Sequence, residues 1–149
     1  MRRYLLVLLI LAAALLTACG GQATPTAVPT PLNMPKAALL TNYVASDPAL
    51  VRGTGRPQMI EFFAFWCDIC QGMRPMIHQL QDQYGSQVDF VYLDIDADNT
   101  KQLQHDFGFN GLRPTIIFLS ADGNEEGRLV GQHAKDEIAQ QLDGLLTVG

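Results

Sequence analysis

With 149 residues and 48% hydrophobic content the chain has room for one domain, and part of that hydrophobicity belongs to a leader and not to a core. It carries 10 Lys and Arg against 15 Asp and Glu, a formal charge of −5 that becomes −7 once Arg2 and Arg3 are set aside. That acidity argues against nucleic acid or anionic lipid headgroups as partners.

The first element in chain order is Met1-Arg2-Arg3 followed by an unbroken apolar run over residues 4–16, the charged start and short hydrophobic stretch of a secretory signal. The run is too short for an ordinary membrane span. It ends in Leu16-Thr17-Ala18-Cys19, which resembles the lipobox of bacterial lipoproteins. The resemblance implies that residues 1–18 are a cleaved signal peptide and that Cys19 carries a diacylglyceryl group on its sulfur, placing the protein outside the cytoplasm on the cell membrane. A plain signal peptide with Cys19 incidental, or an uncleaved anchor, are the alternatives. Three cysteines in an exported chain leave one odd thiol. If Cys19 is lipidated, the remaining pair is Cys67 and Cys70. Residues 19–35 then form a tether whose four prolines, Pro25, Pro29, Pro31 and Pro35, favour extended chain and a reach of roughly 50 Å.

Residues 36–149 read as the folded domain. A short helix is expected over 36–46 and a Gly- and Pro-rich loop over 47–57. Residues 59–65, apolar except for Glu61, predict a strand covered on both faces. Residues 67–84 predict a helix, with Met73, Met76, Ile77 and Leu80 at spacings of three and four, stopped by Gly85. Further along come a strand at 88–95, a short helix at 99–107, a strand at 115–119, a turn at 121–124, a strand near 128–130, and a closing helix at 134–146 with Ile138, Leu142 and Leu145 on one face. Strands joined through a helix and then a hairpin imply a mixed sheet between helical layers.

The densest chemistry is Phe65-Trp66-Cys67-Asp68-Ile69-Cys70, at the passage from strand to helix. A thiol at a helix N-terminus lies near unsatisfied N–H groups and the positive end of the helix dipole, which stabilise its thiolate. Cys67 is the expected nucleophile and Cys70, one turn deeper, closes the disulfide. A buried inert pair or half of a zinc site are the alternatives; the zinc site needs two further ligands at suitable spacing, and no second Cys pair or His cluster is present in the sequence. Asp68 adjoins Cys67 and disfavours its thiolate. At about 6 Å and an effective dielectric of about 40 the repulsion is about 1.4 kcal/mol, or about 30 mV in a two-electron couple, which tilts it toward the reductant side.

Several separated elements resemble the thioredoxin family: Ile60-Glu61-Phe62-Phe63-Ala64 its central strand, the Cys67/Cys70 pair its redox site, and Pro75 the proline of its active-site helix. Arg113-Pro114-Thr115 resembles its cis-proline loop, and Arg128-Leu129-Val130-Gly131 its last strand. The resemblance implies a thioredoxin-like α/β fold with a central mixed sheet flanked by helices. It implies a protein-disulfide oxidoreductase needing no cofactor beyond the Cys67–Cys70 disulfide, and no metal. Glu61 together with Asn124-Glu125-Glu126-Gly127 looks most like membrane-associated members that reduce disulfides in cytochrome c maturation. Tyr92 stands where many members keep a lysine.

By the same resemblance Glu61, an acid costly to bury in charged form, exchanges protons with Cys70; the alternative is an edge-exposed glutamate. Trp66, Asp68, Ile69, Arg113 and Pro114 are the expected client-binding residues, with Pro114 cis and the backbone of Arg113 as a docking edge. Arg113 either offsets Asp68, selects acidic clients, or points to solvent. His78, His105 and His133 are read as solvated. Asp94, Asp96 and Asp98 are read as solvated turn residues, since they lack the glycine and terminal glutamate of a calcium loop. The expected partners are client proteins with disulfides, a membrane protein that donates thiol electrons, and the bilayer through Cys19; a monomer is expected. The rival readings are a disulfide-donating oxidant and a non-catalytic binding or chaperone module.

Overall fold

Six consecutive buried residues, Gln58–Phe63, form strand β1 in the middle of the sheet of the computed structural model, which describes residues 44–52 and 54–147. The elements that follow are α1 (Asp68–Tyr84), β2 (Asp89–Asp94), a 3₁₀ turn (Asp98–Thr100) running into α2 (Lys101–Asp106), β3 (Thr115–Leu119), β4 (Glu125–Val130) and α3 (Lys135–Thr147). The sheet order is β2-β1-β3-β4. The β1/β2 pair, joined through α1, is parallel, whereas β1/β3 and β3/β4 are antiparallel. This is the thioredoxin-like mixed α/β arrangement the sequence implied. The signal peptide, Cys19 and the tether lie outside the described residues. No helix among the described residues is long and apolar enough to cross a membrane.

β1 and β3 are buried throughout because each has a strand on either side and apolar layers on both faces. Phe62 stacks on Phe109 with ring centroids 5.3 Å apart and meets Phe107 edge-on at 6.1 Å, fixing the segment after α2 against the sheet. On the far layer, Ile138, Leu142 and Leu145 face the core from α3 as their spacing predicted. The Tyr84 hydroxyl donates to Asp143 at 2.8 Å and ties α1 to α3. Buried Gln58 holds the preceding loop, its amide donating to the Leu50 carbonyl and accepting from the Arg52 N–H. At the β3–β4 turn Gly123 has φ +81°, a backbone conformation that favours glycine, and a Cβ there would also press on the Arg52 side chain at 3.1 Å.

Three expectations are corrected. β1 ends at Phe63 rather than 65, because the Cys67 N–H donates to the Ala64 carbonyl and turns the chain toward α1, leaving Phe65 and Trp66 about half exposed. The helix expected over 36–46 falls largely outside the described residues. Its end at Ser46 is not helical, since Ser46 bonds both backbone groups of Tyr92 along the open side of β2. His78 is not solvated: it is 4% exposed, on the inward face of α1. That face carries Cys70, Met73, Arg74, Ile77, His78, Leu80 and Tyr84, so the helical stripe admits two basic residues that an apolar pattern passes over.

Candidate active site

The site is built where β1 gives way to α1. Cys67 is the N-cap of the helix, with extended backbone, and its sulfur accepts the Cys70 N–H at 3.1 Å. One of the orphan donors of the first turn is thereby aimed at the sulfur expected to carry negative charge. Cys67 and Cys70 are joined by a disulfide. Cys67 keeps 5% of its surface and Cys70 none, so Cys67 is the more accessible residue of the pair, although it too is nearly buried. Asp68 and Ile69 are both exposed on the first turn of α1.

Opposite the disulfide stands the segment Gly111-Leu112-Arg113-Pro114, with the Arg113–Pro114 peptide bond cis as expected. A shallow groove runs between the two walls, lined by Trp66, Cys67, Asp68 and Ile69 on one side and Gly111, Leu112 and Arg113 on the other. Pro114 itself is buried, its carbonyl accepting from the Gly131 N–H. Of the five large apolar side chains left exposed among the described residues, Trp66, Ile69 and Leu112 line this groove and Phe65 adjoins Trp66 in the chain. Such clustering marks a contact surface rather than scattered surface hydrophobics.

Arg113 packs on Trp66 instead of pointing freely to solvent. Its guanidinium lies 4.1 Å from the centre of the Trp66 ring, and its Nη1 donates to the Gly111 carbonyl at 2.6 Å. The other edge of Trp66 is held by Asp96, whose carboxylate accepts the indole N–H at 2.6 Å. Asp96 is held in turn by Asp94, which accepts its backbone N–H. Asp96 is exposed and Asp94 partly so, and beyond that reading the two anchor the tryptophan beside the disulfide. An indole N–H needs an acceptor, and only the fold brings one from thirty residues away.

Glu61 is wholly buried at the centre of the sheet, its Cα registered between Tyr92 on β2 and Ile116 on β3, which removes the edge-exposed alternative. Tyr92 extends over the sheet to give its hydroxyl to Gln81 on α1, and the Arg74 guanidinium lies 4.0 Å from its ring centre. Arg74 and His78 are the residues that reading the sequence missed; the available signal was their four-residue spacing from Cys70 along α1. Burial, with the Arg74 charge adding to it, pulls the His78 imidazole down to about 4. His105 is solvated as expected, while His133 is half-buried and bonds the Val130 carbonyl and Glu137. Among the described residues no group of three or more His, Cys, Asp or Glu is placed to hold a metal ion.

The family model described as Thioredoxin matches residues 47–144. The chain is 38% identical over 114 residues to the chloroplastic thioredoxin-like protein HCF164 of Oryza sativa subsp. japonica, covering 74% of this chain and 42% of that protein. It is 34% identical over 91 residues to the thiol:disulfide interchange protein TxlA of Synechococcus elongatus, covering 61% and 47%. It thus spans less than half the length of these curated relatives. Among solved structures, thioredoxin NaTrxh of Nicotiana alata superposes with a TM-score of 0.54 at 30% identity, covering 63% of this chain and 76% of that one.

Proposed function

This chain belongs to the thioredoxin family, and on that premise we propose that it is a membrane-tethered, extracytoplasmic thiol–disulfide oxidoreductase that reduces protein disulfides. The observation that carries the reading is the Cys67–Cys70 disulfide capping α1, with the Cys70 N–H on the Cys67 sulfur and a shallow groove of mixed polar and apolar lining running past it. In the reduced protein the Cys67 thiolate attacks one sulfur of a client disulfide, forming a mixed disulfide and releasing the first client thiolate. Cys70, losing its proton to Glu61, then attacks the Cys67 sulfur and releases the second. Two electrons pass to the client, and the Cys67–Cys70 bond re-forms.

The groove suits an extended client segment laid along the Arg113 backbone, with Trp66, Ile69 and Leu112 receiving its side chains. Asp68 beside the nucleophile, with no cation between the two cysteines, favours the reducing direction. The similarity to a thiol:disulfide interchange protein supports the same class of chemistry. Apocytochrome c is the client class that the sequence resemblance suggests. The dithiol is recharged by a membrane protein that donates thiol electrons, and no flavin, nicotinamide or metal takes part. Residues 1–18 are the signal peptide, Cys19 carries the lipid, and residues 19–35 let the domain 36–149 reach partners in and above the bilayer. Acyl chains on Cys19, at about 0.8 kcal/mol per buried CH₂, hold it there.

Fractionation of cells expressing the full chain tests both parts together. Dithiol-dependent cleavage of a model protein disulfide is expected in the membrane fraction, lost with Cys67→Ser and moved to the soluble fraction with Cys19→Ser. Cleavage that survives Cys67→Ser contradicts the chemistry, and activity that stays on the membrane after Cys19→Ser contradicts the anchor.

A further inference from the structure

Helix α1 sets Cys70, Arg74 and His78 at four-residue intervals along one inward stripe, and none of the three is more than 6% exposed. A guanidinium is costly to bury unless π-faces and anions receive it. Arg74 stacks on Tyr92, and Tyr92 is the register partner of Glu61, the acid with no exposed surface at all. The Tyr92 hydroxyl reports on both charges. Its ionisation is pushed up first by burial, and Arg74 and Glu61 then act on it in opposite directions. A buried guanidinium, a buried carboxyl group and the inner thiol therefore occupy one layer, with an aromatic ring fixing the guanidinium in place.

We propose that Arg74 is a positioning residue for the resolving step: its charge, held over the Tyr92 ring, keeps Glu61 ionised and able to accept the Cys70 proton, and favours the thiolate so formed. This rests on the assignment of Cys70 as the resolving thiol. In that step the Cys70 S–H bond breaks and the proton goes to the Glu61 carboxylate. The electron pair left on sulfur forms the Cys70–Cys67 bond, while the Cys67–client bond breaks and its pair leaves on the client sulfur. The groups that face this chemistry are Glu61 from β1, Tyr92 from β2 and Arg74 and His78 from α1, with Asp82 of the same helix acting on His78, while β3 presents apolar Ile116 to the Glu61 position. Asp68 is exposed at the start of α1, and Arg113 is engaged with Trp66 across the groove. His78 stays neutral above about pH 5, since its imidazole titrates at about 4, which leaves Arg74 as the cation of this layer throughout the working range.

The test is the pH profile of resolution, read by stopped flow as release of the second client thiol by the reduced full-length chain, in wild type, Arg74→Gln and Arg74→Lys. A buried opposite charge in the same layer moves an ionisation by about one unit or more, so the Gln variant is expected to resolve about tenfold more slowly at pH 7 and to recover in alkali. The Lys variant, keeping the charge, retains the wild-type midpoint. If the Gln variant does not fold, the Lys variant decides: a profile displaced like that expected for the neutral variant overturns the proposal, and an unmoved one upholds it. Superimposable profiles for wild type and a folded Gln variant also overturn it. A wild-type chain that releases no client thiol at any pH instead overturns the redox reading itself.

Discussion

Replacing Cys70 with serine is expected to halt the reaction halfway: the chain accumulates in mixed disulfide with its client, and turnover falls on the order of a thousandfold or more. The expectation follows from the two sulfurs' unequal positions. Cys67, at the N-cap of α1, is the only residue of the pair with any exposed surface, so attack on the client is unaffected. Cys70 is fully buried one turn deeper and acts only on the Cys67 sulfur. Non-reducing electrophoresis after mixing with a disulfide-bonded client reads the adduct directly. A serine variant that turns over like wild type, with no adduct, would make Cys70 a structural staple and favour the binding-module reading.

The fold itself should weaken as pH falls from about 6.5 toward about 4, with His78 as the source. Its imidazole ionises near 6.5 in the unfolded chain and at about 4 in the folded one, because burial and the neighbouring Arg74 oppose a second charge, while Asp82 acts weakly the other way. A depressed folded value means that the unfolded state takes up the proton first. The contribution is therefore complete above the unfolded value and is lost as pH drops to the folded one. The shift corresponds to about 3 kcal/mol, a large share of a small domain's stability. Urea midpoints measured from pH 4 to pH 7 should fall accordingly, and His78→Leu should flatten that slope while fitting the apolar layer around Ile77. An unchanged slope in the variant would assign the acid sensitivity to other groups.

The strands and the long helices were legible because each is written in a strong period: β3 has the predicted bounds, and α3 buries the three residues its spacing named. The Cys67/Cys70 pair and the cis Arg113–Pro114 bond were legible from local motif and resemblance. What escaped is polar and long-range. Arg74 and His78 look like surface residues until the helix turns them inward onto Tyr92 and the core. Asp96 looks like a turn acid until the β2 end brings it under the Trp66 indole. Arg113 has solvent, Asp68 or a client open to it in the sequence, and only the groove's geometry sets it on Trp66. Apolar periodicity says which face is buried, and it is silent about which charges the buried face accepts.

The central claim, a reductant working through Cys67 and Cys70, is tested most directly by the equilibrium reduction potential of that couple, followed by Trp66 fluorescence in the full-length chain across thiol/disulfide buffers. The account predicts a value near the reducing end for this chemistry, about −270 mV, and a value near about −120 mV would contradict it by making the protein a disulfide donor.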